Sequence, residues 1–165
     1  MFYMIFVSVG ANPHPFDRLV KKIDDMVGSG ELKEEVILQI GTTKYEPKHI
    51  KRVKVFWGPG EYEDVLKNCT LIISHAGLGN AMLARDYKKP FILVPRRKEY
   101  GEHIDNHQLQ IAKYLEDSGF CQVVYDIDKL PAAIKKAQAD GAKFTERRKS
   151  ELVSDIKAYV ASIMD

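Results

Sequence analysis

Two segments of the chain decide its fold, because each is a short apolar run that leads into a polar loop. Residues 71–80 read LIISHAGLGN, and residues 90–108 read PFILVPRRKEYGEHIDNHQ. Each apolar run has the length of a buried strand and is bounded by turn residues. A glycine loop and a helical pattern follow the first run, and a polar loop leads from the second run into another helical pattern. This order predicts two parallel strands whose carboxyl ends meet at one edge of a sheet.

The rest of the chain repeats this alternation of apolar runs and helical patterns. Strands are predicted at about 2–9, 36–40, 53–57, 71–74, 91–94 and 122–125. Helices are predicted at about 15–27, 59–67, 80–89 and 105–117, from 131 onward, and at about 145–164. The predicted class is α/β, with a single Rossmann-like, doubly wound parallel sheet of about six strands in one domain over residues 1–165. Ligands of such sheets bind outside the carboxyl ends of the strands.

The loop that follows residues 71–74 has the composition of an anion-binding loop. Its glycines let the backbone approach a ligand closely, and the amino end of the next helix offers free N–H groups and partial positive charge. We therefore predict that a diphosphate binds there. The predicted contacts are Gly10, His75, Ala76, Gly77, Leu78, Gly79 and Asn80. The alternative is that the glycines only close a tight turn between strand and helix.

His75 directly precedes the glycine loop and is the residue predicted to act in catalysis. Its place at a strand end favours a role as hydrogen-bond donor to a phosphate oxygen over a role as a base, and the alternative is a structural hydrogen bond. The loop lacks the third glycine of GxGxxG, and strand five lacks a following acidic residue, so an NAD site is disfavoured. The chain has no GxxxxGK[ST] motif, so NTP hydrolysis has no support.

A cluster of amide and imidazole groups, Asn106, His107 and Gln108, opens the helix predicted at 105–117. Side chains that both donate and accept hydrogen bonds suit sugar hydroxyls, so these residues are predicted to bind a sugar. The alternative is an ordinary first turn of a helix, capped by Asp105 or Asn106. Together with the diphosphate loop, the cluster indicates a nucleotide-sugar site.

Two further charged motifs have ordinary interpretations. Arg96, Arg97 and Lys98 predict a solvated basic turn, and the alternative for Arg96 and Arg97 is contact with a phosphate, an anionic lipid head group or a partner. The segment Asp126-Ile127-Asp128 imitates a DxD metal motif. It precedes Pro131 closely, so turn formation or helix capping explains it better. No metal and no other cofactor is expected.

Composition excludes several classes of protein. The chain is 45% hydrophobic and 29% charged with a net charge of +2, which excludes disorder and gives no support for nucleic-acid binding. No run reaches the roughly 18 apolar residues that span a bilayer, and residues 2–9 predict a buried strand rather than a signal peptide. Cys69 and Cys121 lack metal-type spacing and are interpreted as buried thiols in a reducing compartment.

Several segments resemble the C-terminal domains of glycosyltransferase family 28. The matching segments are residues 6–10, 16–19, 39–43, 73–79 and 95–108, in the order in which the family has them. The similarity is greatest to small, stand-alone members that act in dolichol-linked chitobiose synthesis and in bacterial exopolysaccharide and capsule synthesis. The resemblance implies one half of a GT-B-type enzyme, with the active site in the cleft between two Rossmann-like halves.

This resemblance also implies a function. The chain would be the UDP-sugar donor-binding, catalytic subunit of a two-component glycosyltransferase, active only with a partner. A membrane-anchored partner would supply the acceptor site for a lipid-linked saccharide, and through it the cytoplasmic chain would lie at the inner face of the membrane. Transfer of a hexose or N-acetylhexosamine would be inverting and independent of metal.

The family assigns the loop that matches residues 75–80 to the diphosphate and the positions that match His107 and Gln108 to the sugar. Related transferases often place a carboxylate for the ribose diol where this chain has Leu83, and Asp86 is out of register. Either the ribose is held otherwise, or donor affinity depends on the partner. The departure also supports an alternative, a non-catalytic interaction or activating subunit of another glycosyltransferase. A nucleotide-sugar epimerase is a third interpretation, for which one chain lacks the second half.

Overall fold

The computed structural model describes residues 3–141 together with Ala158 and Ala161. The strands are β1 (Met4–Ser8), β2 (Glu35–Gln39), β3 (Arg52–Lys54), β4 (Leu71–Ser74), β5 (Phe91–Leu93) and β6 (Gln122–Val123). The α-helices within the described residues are α1 (Asp17–Gly28), α2 (Pro59–Asn68), α3 (Leu78–Asp86), α4 (His107–Asp117) and α5 (Leu130–Asp140). Short 3-10 turns occupy Lys98–Tyr100 and Ile127–Lys129.

The strands form one sheet in the order β3-β2-β1-β4-β5-β6, and every pairing is parallel. This confirms the predicted α/β class and the doubly wound parallel sheet. The strand order reverses at the centre, where β1 pairs with β4. In doubly wound sheets the ligand crevice opens at this reversal, outside the carboxyl ends of the strands. The loops after Ser8 and Ser74 therefore begin at the place where a ligand is expected.

Side chains of the central strands alternate between two apolar cores, as the period of two in a strand requires. Ile5 and Val7 of β1 belong to the core that α1 and α5 cover, while Phe6 belongs to the core that α2, α3 and α4 cover. Because β1 and β4 are covered on both faces, their sequences are almost wholly apolar. Each fully buried aliphatic or aromatic side chain stabilises the fold by roughly 1.5–3 kcal/mol.

Some boundaries differ from those predicted. The strand predicted at 53–57 ends at Lys54, because Val55 and Phe56 leave the sheet and are each 52% exposed. Helix α3 begins at Leu78, slightly before the position predicted from the sequence. The helix predicted at about 145–164 lies outside the described residues, apart from Ala158 and Ala161.

The cysteines are buried, as predicted. Cys69 and Cys121 are 1% and 4% exposed. Burial raises the pKa of Cys69 to about 11 and raises that of Cys121 further, so neither thiol is a reactive thiolate at neutral pH. Within the described part of the chain, no helix has both the length and the apolar character needed to cross a membrane.

Candidate functional site

A cavity of about 610 Å³ opens at the carboxyl ends of the central strands, between the loop after β3 and helices α2 and α3. The predicted diphosphate contacts among its lining residues are Gly10, His75, Gly77, Gly79 and Asn80. Ala76 belongs to the same loop but is buried, and Leu78 packs against the core. A larger cavity of about 980 Å³ lies near the amino ends of the strands and contains none of the predicted site residues. We therefore place the candidate site in the smaller cavity, which we call the switch-point pocket.

The ring of His75 is held between two glycines of the switch-point pocket. A Cβ atom built on Gly10 would overlap Nε2 of the ring, and one built on Gly77 would overlap Cε1. Gly10 also has a φ of +72°, which L side chains rarely adopt. Both positions therefore need glycine if the imidazole is to stay where it is. This packing gives the glycines a defined role beyond the closing of a turn.

The hydrogen bonds of Gln108 define which nitrogen of His75 carries the proton. Oε1 of Gln108 accepts from the backbone N–H of Ala76 at 3.2 Å and from that of Arg96 at 3.0 Å. The amide Nε2, 3.3 Å from Nδ1 of His75, must then be a donor, so Nδ1 accepts. The proton of the neutral ring therefore lies on Nε2, the nitrogen beside Gly10.

His75 is uncharged at neutral pH. Burial, and to a lesser extent the nearby charges of Arg96 and His103, lower the pKa of His75 to about 4. A neutral imidazole with a protonated Nε2 can donate one hydrogen bond into the switch-point pocket. This chemistry fits the predicted role as a donor to a phosphate oxygen, and the role itself remains a prediction.

Asn80 fastens the start of α3 to the sheet. Its Nδ2 donates to Oγ of Ser74 at 2.7 Å, and its Oδ1 accepts from the hydroxyl of Tyr62 at 2.6 Å. Oγ of Ser74 in turn donates to the carbonyl of Ser8 at 2.7 Å. Among the residues that the structure describes, no side chain caps the amino end of α3, which begins after Gly77. The first-turn amides thus form the kind of end that anions occupy.

The predicted sugar-binding residues lie beside the switch-point pocket and not among its lining residues. Gln108 is 6% exposed and joins the loops after β4 and β5 through its Oε1. Oδ1 of Asn106 accepts from the backbone N–H of Lys98 at 3.0 Å. Oδ1 of Asp105 accepts from the backbone N–H of His107 at 2.9 Å in the turn before α4, whose N-cap residue Asn106 makes no capping hydrogen bond with its side chain. Sugar contact by these residues stays a prediction.

Arg96 corrects the sequence prediction of a solvated basic turn. Its side chain is fully buried, so it cannot contact a lipid head group, and its guanidinium donates to backbone carbonyls. Nη1 reaches the carbonyls of His14 at 2.7 Å and Glu102 at 3.1 Å, and Nη2 reaches that of Val9 at 2.6 Å. The cation also lies 4.7 Å from the ring centre of Phe16. Arg96 therefore holds the loop between β1 and α1 against the loop after β5, and the alternative of a phosphate or membrane contact is wrong for this residue.

Arg97 is partly buried and lies beside an ion pair whose role the sequence did not indicate. Its Nη2 donates to the carbonyl of Tyr125 at 2.8 Å, and its backbone N–H donates to Glu102 at 3.0 Å. Glu102 is 3% exposed and accepts twice from Arg18, at 2.8 and 2.9 Å. This paired geometry fixes the loop after β5. Arg18 and Glu102 lie 84 positions apart, so no local pattern could have shown the pair.

Aromatic side chains line the switch-point pocket and were also missed at the sequence level. Phe56 and Trp57 follow β3, Tyr62 belongs to α2, and Tyr87 follows α3. The apolar run at 53–57 was the available signal, but it was interpreted as strand. Planar rings at a pocket wall suit the face of a nucleobase.

The DxD-like segment forms a turn, as predicted. Oδ1 of Asp126 accepts from the backbone N–H of Asp128 at 3.0 Å, and Asp128 pairs with Lys22 at 2.9 Å. The part of the chain that the structure describes contains no group of three or more His, Cys, Asp or Glu residues able to hold a metal ion. Metal independence stays a prediction.

A parallel sheet with a reversal at its centre, and a glycine loop at a helix start beside that reversal, define a Rossmann-type domain. The chain belongs to the glycosyltransferase family 28 C-terminal domain family, whose model matches residues 4–162.

Two curated relatives are similar in sequence. The UDP-N-acetylglucosamine transferase subunit ALG13 of Mus musculus is 31% identical over 122 residues, covering 69% of this chain. The chain spans only 10% of the length of that relative. A second relative is the UDP-N-acetylglucosamine--N-acetylmuramyl-(pentapeptide) pyrophosphoryl-undecaprenol N-acetylglucosamine transferase of Prochlorococcus marinus (strain MIT 9312). It is 32% identical over 83 residues, which cover 48% of this chain and 22% of the relative.

Solved structures share the fold. The glycotransferase of kitacinnamycin superposes with a TM-score of 0.64 and 20% identity over 88% of this chain and 37% of that one. The solution structure of ALG13 superposes with a TM-score of 0.58 and 19% identity over 84% of this chain and 87% of that one. The first of these matches less than half of a longer glycosyltransferase chain, which agrees with the predicted GT-B half.

Proposed function

We propose that this chain is the donor-binding, catalytic subunit of a two-component glycosyltransferase. The observation that carries the proposal is the neutral His75, a donor held between two glycines beside the uncapped start of α3. A diphosphate presents acceptor oxygens and negative charge, and both features of the pocket suit it. Membership of glycosyltransferase family 28 supports a sugar as the group attached to that diphosphate.

The names of the relatives support the substrates that we propose. The names of both relatives include UDP-N-acetylglucosamine and transferase, and that of the Prochlorococcus marinus relative also includes pyrophosphoryl-undecaprenol. We therefore propose a UDP-hexose or UDP-N-acetylhexosamine donor and a lipid-linked saccharide acceptor. The product would serve the synthesis of a polysaccharide or glycan precursor, with exopolysaccharide or capsule as the expected kind.

A second subunit completes the proposed enzyme. The described residues form one Rossmann-type sheet, and a GT-B active site lies between two such halves. The mouse relative is itself named as a subunit. The partner would bind the acceptor and anchor the complex, placing this chain at the cytoplasmic face of the membrane.

In the proposed mechanism, an acceptor hydroxyl attacks the anomeric carbon of the sugar while the bond from that carbon to the diphosphate oxygen breaks. The Nε2–H of His75 and the first amides of α3 would stabilise the negative charge that develops on the leaving diphosphate. The partner half would supply the base that removes the proton of the acceptor. Transfer would invert the anomeric configuration and use no metal. The sugar would extend from the diphosphate toward Gln108.

Titration of the isotopically labelled chain with UDP and UDP-N-acetylglucosamine tests this proposal. We expect amide chemical shifts to change at Gly10 and at residues 75–80, because the phosphates would contact those backbone groups. Changes confined to the cavity at the amino ends of the strands would overturn the site. No binding of either compound, even with the partner present, would favour the alternative of a non-catalytic activating subunit, which Leu83 on the pocket wall supports.

A further inference from the structure

One carboxylate faces the switch-point pocket. Glu63 of α2 lines it together with Leu83 and Tyr87 of the α3 side, and among the described lining residues Glu63 alone has a formally charged side chain. The hydroxyl of Tyr87 donates to Oε1 of Glu63 at 2.9 Å, and Nζ of Lys67 lies 2.9 Å from the same oxygen. Both described contacts fall on Oε1, so Oε2 can accept hydrogen bonds from a ligand.

Glu63 is an anion at neutral pH, which limits what it can bind. The hydrogen bonds from Lys67 and then from Tyr87 hold the pKa of Glu63 below its usual range. A carboxylate repels phosphate and accepts hydrogen bonds from hydroxyl groups. The ligand part beside Glu63 should therefore be uncharged and rich in hydroxyls.

The position of Glu63 along the pocket agrees with this chemistry. Tyr87 follows the last residue of α3, whose 9 residues span about 13 Å. The amino end of α3, beside His75, suits the diphosphate. A nucleoside that runs from there along α3 would bring its ribose toward Glu63 and its base toward Phe56 and Trp57, which line the same pocket.

We propose that Glu63, oriented by Tyr87, binds the ribose diol of the nucleotide donor. Glu63 on α2 would supply the carboxylate for the ribose, while Leu83, which lines the same pocket from α3, has an apolar side chain. This inference rests on the proposed function, because it assumes a nucleoside diphosphate in the switch-point pocket. Glu63 would then make the chain prefer a ribonucleotide over its deoxy form.

Affinities for UDP and for 2′-deoxy-UDP test the proposal, since the two ligands share base and phosphates and differ by one hydroxyl. We expect the wild-type chain to bind UDP about tenfold more tightly in an NMR titration, as one charge-assisted hydrogen bond provides. Glu63→Gln should reduce this preference to about threefold or less. Glu61→Gln is the matched control, because Glu61 lies on the same helix, pairs with Lys54 and is absent from the pocket lining.

The outcomes separate failure of this inference from failure of the proposed function. A wild-type chain that binds UDP without discriminating against the deoxy form would overturn the role of Glu63 and leave the proposed function standing. A Glu63→Gln variant that keeps the full preference would overturn the role of Glu63 in the same way. If the wild-type chain binds neither nucleotide, with or without the partner, the proposed function fails, and the inference fails with it. Amide spectra of both variants show whether the fold is retained.

Discussion

At the residue scale, the position of His75 depends on the absence of a side chain at Gly77. We expect Gly77→Ala to destabilise the fold by about 1–3 kcal/mol, because the new methyl group would force the imidazole out of its place. Gly79→Ala, in the first turn of α3, is the control, since a Cβ there meets nothing within 4 Å. It should leave stability unchanged or raise it by up to about 1 kcal/mol. Urea unfolding of both variants measures the difference, and equal losses would contradict the packing account.

His75 should also make the stability of the protein depend on pH. The pKa of His75 is about 4 in the folded chain, below its ordinary value of 6.5. Between these values the unfolded chain binds a proton that the folded chain does not, so stability falls as the pH drops from 6.5 to 4. The loss from this residue should reach about 2–3 kcal/mol.

His75→Gln removes this titration while keeping a neutral polar side chain. We expect the free energy of unfolding, measured by urea titration between pH 7 and pH 4, to fall less steeply in the variant. His49→Gln is a suitable control, because His49 is exposed and lines the cavity at the amino ends of the strands. If the wild type and His75→Gln lose stability in parallel, His75 is not buried in its neutral form.

The sequence predicted where the candidate-site residues lie in the fold better than it predicted the contacts of each side chain. His75 and its glycines follow a strand directly, so local order was enough to place them. The contacts of Gln108 could not be predicted in this way. Its side-chain oxygen accepts hydrogen bonds from the backbone N–H groups of Ala76 and Arg96, and no local sequence pattern shows which distant groups a side-chain amide will contact. The pairing of Glu63 with Tyr87 could not be predicted for the same reason.

At the element scale, Arg96 joins the loop between β1 and α1 to the loop after β5. We expect Arg96→Met to cost at least about 3 kcal/mol, because several buried carbonyls would lose their donor at once. Lys98→Met is the control, since Lys98 is exposed, and it should change stability by less than about 0.5 kcal/mol. Urea unfolding checks both values. A change below about 1 kcal/mol for Arg96→Met would show that the carbonyls find other partners.

Hydrophobic periodicity was a good guide to the strands and a poor guide to the basic turn. The central strands were predicted within a residue or two, because burial on both faces makes them apolar throughout. β3 was predicted too long, because the apolar residues Phe56 and Trp57 line the switch-point pocket and do not belong to the sheet. Arg96 and Lys98 look alike in sequence, and only the distant carbonyls decide which cation is buried.

At the scale of the whole molecule, the proposed division of labour predicts that the chain alone transfers no sugar. We expect activity to appear only when the acceptor-binding partner is added, because in the proposed enzyme the partner supplies the other half of the cleft. In that assay His75→Ala should reduce the rate at least about tenfold, or roughly 1.4 kcal/mol of transition-state stabilisation. His49→Ala should retain the rate. Robust turnover by the purified chain alone, measured by release of UDP and by labelled product, would contradict the proposal.

The two outer strands of the sheet have a consequence for how copies of this chain meet one another. β3 is only three residues long and β6 only two. Arg52 and Lys54 of β3 are exposed and paired with Glu35 and Glu61. A short, charged edge strand at one border and a two-residue strand at the other offer little template for pairing with another chain, so both disfavour fibrous aggregation. Molecules of this protein should therefore not polymerise by adding strands to one another's sheets, even in concentrated solution.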